Sequence, residues 1–104
     1  MKRKKQAKSI DYQEVLLKKL KNMNYAAGYL TACYEEGTDA FLLGIKDVVE
    51  ANGGFKELAN ETELNRENLY YMLSKRGNPR LNSLHLVLNK LGFEVSFKPK
   101  SKAA

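Results

Sequence analysis

The chain has 104 residues, 43% of them hydrophobic and 29% charged, with a formal net charge of +6. That fits one globular domain with a real core and excludes two, while the basic balance favours an anionic partner. A single cysteine excludes an internal disulfide, the lone His85 lacks the companions of a metal site, and no stretch approaches the roughly 20 apolar residues of a membrane span.

Residues 1–8, MKRKKQAK, form a basic tail with nothing to bury, expected to be disordered in isolation. It reads as a solubilising terminus, with a DNA-grasping arm as the sharper reading. No signal-peptide apolar core follows it, so a cytoplasmic protein is expected. Ser9 or Asp11 is placed to cap a first helix reaching about residue 22, with Val15, Leu16, Leu17 and Leu20 as its apolar stripe. Asn24 then caps a second helix in which Tyr25, Gly28, Tyr29, Ala32 and Cys33 follow a three-and-four spacing, ended by Gly37. Cys33 reads as a small core residue. Thr38 opens a third helix that buries Ala40, Phe41, Leu42, Ile45, Val48 and Val49, and Asn52-Gly53-Gly54 ends it.

Residues 55–74 carry two short helical patterns around a tight break. Leu58 and Ala59 belong to the first, Leu64 follows the break, and Leu69 and Met72 lie three apart on the second. This spacing buries one face of each helix against the other, which is a helix-turn-helix. Asn65 stands where its side chain can cap the second helix. Lys75-Arg76-Gly77-Asn78-Pro79 is a basic turn, since Gly77 permits positive φ and Pro79 blocks helix continuation. A last helix runs from about Leu81 to Leu91 with Leu84, Val87, Leu88 and Leu91 inward, closed by Gly92. Phe93 to Phe97 then alternates apolar and polar residues as a short strand does. A lone strand leaves its edges unsatisfied. It pairs with a second copy, pairs with another protein, or frays; pairing is the favoured reading. Residues 98–104 are a second basic tail, so the domain proper is 9–97.

No catalytic constellation is present, and an enzyme is not expected. Glu57, Glu61 and Asp47 have no nucleophile or base beside them, and Gly53-Gly54 lacks the lysine and hydroxyl of a phosphate-binding loop. No cofactor or metal is implied. Charge is instead partitioned along the chain. Residues 35–63 hold eight carboxylates against Lys46 and Lys56, a net −6, and residues 65–91 hold five cations against Glu67, a net +4. The sign changes where the second helix of the helix-turn-helix begins, which favours a phosphate-facing side there.

That helix leaves Asn65, Arg66, Glu67, Asn68, Tyr70 and Tyr71 outward, the composition of a DNA recognition helix. Adjacent residues on a helix point about 100° apart, so Tyr70 and Tyr71 cannot both be core beside Leu69 and Met72. One packs at the domain edge and the other faces DNA. Arg66 and Asn68 suit guanine and adenine edges, at about 1–3 kcal/mol for a good bidentate pair. Lys56, Lys75, Arg76, Asn78 and Arg80 are the expected phosphate contacts.

The run GGFKELANETELNRENLYYMLSKRGNPRLNSLHLVLNKLG resembles the Cro/lambda-repressor-type (XRE) helix-turn-helix. From YAAGYLTACYEEG through FLLGIKDVVEANGG to LYYMLSKRGNP, over roughly residues 22–95, the chain is similar to the probable addiction-module antidote proteins, HigA-like antitoxins. The resemblance implies an all-α, lambda-repressor-like fold of five to six helices, to which the alternation at 93–97 adds a short C-terminal strand. It also implies a dimer that reads a palindromic operator, represses its own operon and neutralises a RelE/ParE-like toxin from the adjacent gene. The same residues 65–68, 70 and 71 would face DNA. Such relatives mostly carry glycine in the turn where this chain has Glu63, which implies a slightly different turn or a small strain cost. A stand-alone repressor, or a toxin-binding protein that does not bind DNA, are the alternatives.

Overall fold

In a computed structural model, residues 12–74 and 78–101 are described, and every regular element among them is an α-helix. Helix α1 covers 12–19. It is followed by α2 (Met23–Glu36), α3 (Thr38–Ala51), α4 (Gly54–Thr62), α5 (Arg66–Met72) and α6 (Leu81–Leu91). The expected all-α class is what is observed, with six helices among the described residues where five to six were expected. No helix among the described residues is long and apolar enough to cross a membrane.

Leu16 and Leu20 of the first segment enter the core and Leu17 packs on its edge, whereas Val15, expected in the same stripe, is half exposed. The chain turns over 20–22, and Asn22 rather than Asn24 caps α2, its Oδ1 accepting from the Tyr25 N–H at 3.0 Å. With Met23 as the first helical residue, only a side chain at 22 can reach the third N–H of the first turn.

Helices α2 and α3 form an antiparallel pair joined by Gly37 alone. Tyr34 meets Phe41 edge to face at 5.2 Å, Cys33 lies against Gly44, and the Tyr29 hydroxyl donates to Asp47 Oδ2 at 2.8 Å. A Cβ on Gly44 would stand 2.8 Å from Cys33 Sγ, so the glycine sets how closely the helices approach. The buried residues of α2 are Ala26 and Leu30, with Tyr29 partly buried against the same core. The expected stripe was displaced: Tyr25 and Ala32 are exposed. Helix α3 has a wider buried face (Leu42, Gly44, Ile45, Val48, Val49, Ala51) because α1, α2 and α4 surround it. At its end Asn52 Nδ2 donates to the carbonyls of Leu20 (3.2 Å) and Val48 (2.9 Å), tying the α1–α2 turn to α3.

The remaining core is Phe55 and Leu58 of α4, Leu69 and Leu73 at α5, and Val87 and Leu88 of α6. Gly92 closes α6 with φ 102°, and the Phe93 N–H returns to the Leu88 carbonyl at 2.9 Å. The expected strand at 93–97 does not form; residues 93–101 have no regular structure. A strand requires a second strand to receive its N–H and C=O groups, and the described chain offers none. Phe93 packs on the core, but Val95 is half exposed and Phe97 is 92% exposed.

Candidate nucleic-acid interface

Helices α4 and α5 are built from local signals. Gly53 and Gly54 take φ 109° and 83°, which glycine adopts without steric cost and which fold the chain sharply from α3 into α4. Glu57 stands in the first turn of α4, where a carboxylate meets the positive end of the helix dipole. At the other end the Thr62 hydroxyl, buried, donates to the Leu58 carbonyl at 2.8 Å and accepts from the Leu64 N–H at 3.2 Å. One side chain therefore closes α4 and starts the turn out of it.

Glu63 is the hinge of that turn. Its φ of 62° and ψ of 16° are left-handed, and it is the one non-glycine residue at positive φ among those described. The backbone thus keeps the conformation that suits glycine and places a glutamate in it, at a strain cost of about 1–2 kcal/mol. Asn65 then caps α5, its Oδ1 accepting from the N–H groups of Glu67 (2.7 Å) and Asn68 (3.2 Å).

Leu69 is fully buried beneath α5 and Leu73 nearly so, with Met72, Ala59 and Leu64 packed at the margin of the same core. The opposite side carries Arg66, Glu67 and Asn68, all exposed, and Tyr71, 63% exposed. Tyr70 is 47% exposed and leans on the Phe55 ring, centroids 4.6 Å apart, so it occupies the domain edge and Tyr71 the open face. The oxygen of Asn65 is committed to capping, which leaves only its amide NH2 for another partner.

Two shallow grooves meet on this face. Arg66, Glu67, Tyr70, Tyr71 and Ser74 line one. The other runs from Asn68 and Tyr71 to Asn78, Arg80 and Ser83. Asn78 and Arg80, expected at phosphates, are therefore brought beside the outward side chains of α5. Arg80 precedes α6 without capping it through its side chain, so its guanidinium is not engaged there. Lys56 is exposed on α4. Lys75 and Arg76 lie outside the described residues. Sequence reasoning missed Ser74 and Ser83 as lining residues, and it missed Lys46. The Lys46 ammonium lies 4.7 Å from the centre of the Tyr70 ring. Ser83 sits three residues past Arg80 and could have been placed from helical spacing; nothing local in sequence connects Lys46 to Tyr70.

The polar groups of the α2–α3 pair are a different case. Burial, and then the bond to Asp47, hold the Tyr29 phenol well above the usual tyrosine range. Gln13 Nε2 reaches the other Asp47 oxygen at 3.4 Å. Burial likewise pushes the Cys33 thiol up, against a smaller opposing effect of the Tyr29 hydrogen bond, which disfavours a reactive thiolate. These groups satisfy one another inside the domain and present nothing to a ligand.

A family model described as probable addiction module antidote protein matches residues 8–99. No curated protein and no solved structure matches the chain.

Proposed function

The chain belongs to the family of probable addiction module antidote proteins, and on that premise we propose that it is a DNA-binding antitoxin that neutralises a RelE/ParE-like toxin and represses its own operon. It acts by binding, with no catalytic step. The observation that carries the DNA half is α5 itself: Leu69 fully buried beneath it, Asn65 capping it, and Arg66, Glu67, Asn68 and Tyr71 outward. A rigid helix with that front is suited to a major groove, and Asn78 and Arg80 beside it are suited to the flanking phosphates. In this reading the helix-turn-helix is of the XRE type and the antitoxin HigA-like. Two copies set their recognition helices in successive major grooves, about 34 Å apart, on a palindromic operator.

The toxin takes a separate surface. The irregular backbone of residues 94–100, with Val95 and Phe97 exposed, offers N–H and C=O groups for strand addition by a partner. The carboxylates of Glu63 and Glu67 on or beside the DNA face favour one competing reading, a toxin-binding protein without DNA affinity.

Co-expression separates these readings. The small reading frame beside this gene is expressed alone and then with this protein. Growth arrest relieved through a co-purifying complex is expected; a harmless neighbour removes the antitoxin half. Binding to the DNA upstream of the protein's own coding sequence tests the other half. Arg66→Ala should erase its preference for that DNA, a loss of about 1–3 kcal/mol of discrimination, whereas Arg80→Ala should weaken binding to all sequences alike.

A further inference from the structure

Phe55, Tyr70 and Lys46 come together from three helices. The Phe55 ring of α4 lies against the Tyr70 ring of α5, centroids 4.6 Å apart and planes tilted by 32°. The Lys46 ammonium of α3 stands over the same tyrosine, 4.7 Å from its centroid. Phe55 is buried and so anchors Tyr70 to the core, while Tyr70 is half exposed and Lys46 only partly buried.

Two features make this lysine unlike an ordinary solvated one. Between residues 35 and 63 only Lys46 and Lys56 are cationic, among eight carboxylates, yet no carboxylate among the described residues forms an ion pair with Lys46. Its neighbour Asp47 is engaged by Tyr29 and Gln13 instead. The Lys46 side chain is also held by an aromatic face, which lowers the conformational freedom it would lose on meeting an anion. Tyr70 lines the groove that contains Arg66 and Glu67, and Lys46, not itself a lining residue, stands beside that groove against the same ring.

We propose that Lys46, positioned by the Phe55–Tyr70 ring pair, is a DNA backbone-phosphate contact that extends the interface from α5 onto α3. This rests on the DNA-binding reading above. An ammonium held beside a recognition helix supplies orientation and salt-dependent affinity without reading sequence. It gives Tyr70 the role of a platform, leaving Tyr71 as the tyrosine free to meet the groove.

The full chain and its Lys46→Gln, Lys46→Ala and Lys46→Arg variants would be titrated onto two duplexes of equal length across a range of salt. One duplex comes from upstream of the protein's own coding sequence and the other is unrelated. Lys46→Gln removes the charge but retains a polar side chain only one atom shorter, so it reports even if the alanine variant folds poorly. Both charge-removing variants should bind the two duplexes several-fold more weakly and to the same extent. The slope of log affinity against log salt should become shallower by about 0.9, one phosphate contact. Lys46→Arg should retain the wild-type slope. An unchanged slope in Lys46→Gln overturns the proposal, whatever its effect on thermal melting, because a purely structural lysine would move melting alone. If the slope is unchanged while Arg66→Ala still loses its preference for the upstream duplex, the Lys46 contact fails and the DNA reading stands. If the wild-type chain binds neither duplex, both fall together.

Discussion

The α2–α3 pair and the α4–α5 pair are both two helices joined by a short break, yet they dispose of their polar groups in opposite ways. In the first, Tyr29 and Gln13 both donate to Asp47, joining three helices, and Gly44 lets the backbones approach over Cys33. In the second, the side chains used internally are Thr62 and Asn65, both spent on closing helix ends. Arg66, Glu67, Asn68 and Tyr71 remain outward. One pair satisfies its polar atoms inside and is a scaffold. The other leaves them outward, as the proposed DNA interface requires, and holds its turn with a left-handed glutamate. What distinguishes scaffold from interface here is where the hydrogen-bonding capacity points, since both pairs bury leucines equally well.

The comparison is broken most severely at Leu69. It is the buried back of α5, and Leu69→Ala should destabilise the domain by about 2–5 kcal/mol, seen as a lower urea midpoint. DNA binding should fall with it, because the outward face has no other anchor at its centre. A variant that melts early but binds as wild type would mean that α5 is not the interface.

Gly44→Val attacks the scaffold instead. Its Cβ would meet Cys33 Sγ at 2.8 Å, and the added methyls deepen the clash, so a loss of about 1–3 kcal/mol is expected. Pairing it with Cys33→Ala should recover part of that loss, which a double-mutant cycle reads directly. Additivity of the two would show that the helices are not in contact there.

Tyr29→Phe is a smaller step, about 1 kcal/mol for a bond to a charged acceptor in a partly solvated site. Its pH dependence is the sharper readout. The folded state holds the phenolic proton more tightly than the unfolded chain does, so this contribution is complete below the ordinary tyrosine range near pH 10 and declines as pH rises above it. The wild-type protein should lose stability above that range by this route, and Tyr29→Phe should lose less. Equal alkaline slopes in the two proteins would place the effect elsewhere.

The elements that could be read from sequence were those ended by local chemistry. Gly37, Asn65 and Gly92 act on backbone groups within a turn of themselves, and the limits of α3, α5 and α6 follow from them. The outward side of α5 was legible for the same reason, since Leu69 and Met72 fix its back. The inward side of α2 was not. Tyr25, Gly28 and Ala32 satisfy helical spacing, but which stripe is buried depends on where α3 and α1 lie, and that choice fell on Ala26 and Leu30. Residues 93–97 failed on a similar ground: alternation describes what a strand would bury, and pairing needs a second strand that the described chain does not supply. Lys46 and Tyr70 are separated by α4, so their contact is a consequence of the packing of three helices.

The smallest expected effect is at Glu63, and it tests why the interface half carries strain at all. Glu63→Gly removes a left-handed cost of about 1–2 kcal/mol but adds the extra backbone entropy of glycine, about 0.5–1 kcal/mol. The two ranges leave a net gain of about 0–1.5 kcal/mol, centred below about 1 kcal/mol, which is a rise of several degrees in melting temperature. Glu63→Ala keeps most of the strain while also discarding the carboxylate, so the pair separates geometry from charge. If both variants bind DNA more tightly and only the glycine melts later, the glutamate moderates affinity through its charge and the turn is already correctly set. If only the glycine variant binds more tightly, the strained turn holds α5 slightly out of its docking position. If neither binds differently, the carboxylate lies beyond the reach of the phosphates, and the acidic character of residues 35–63 ends before the interface begins.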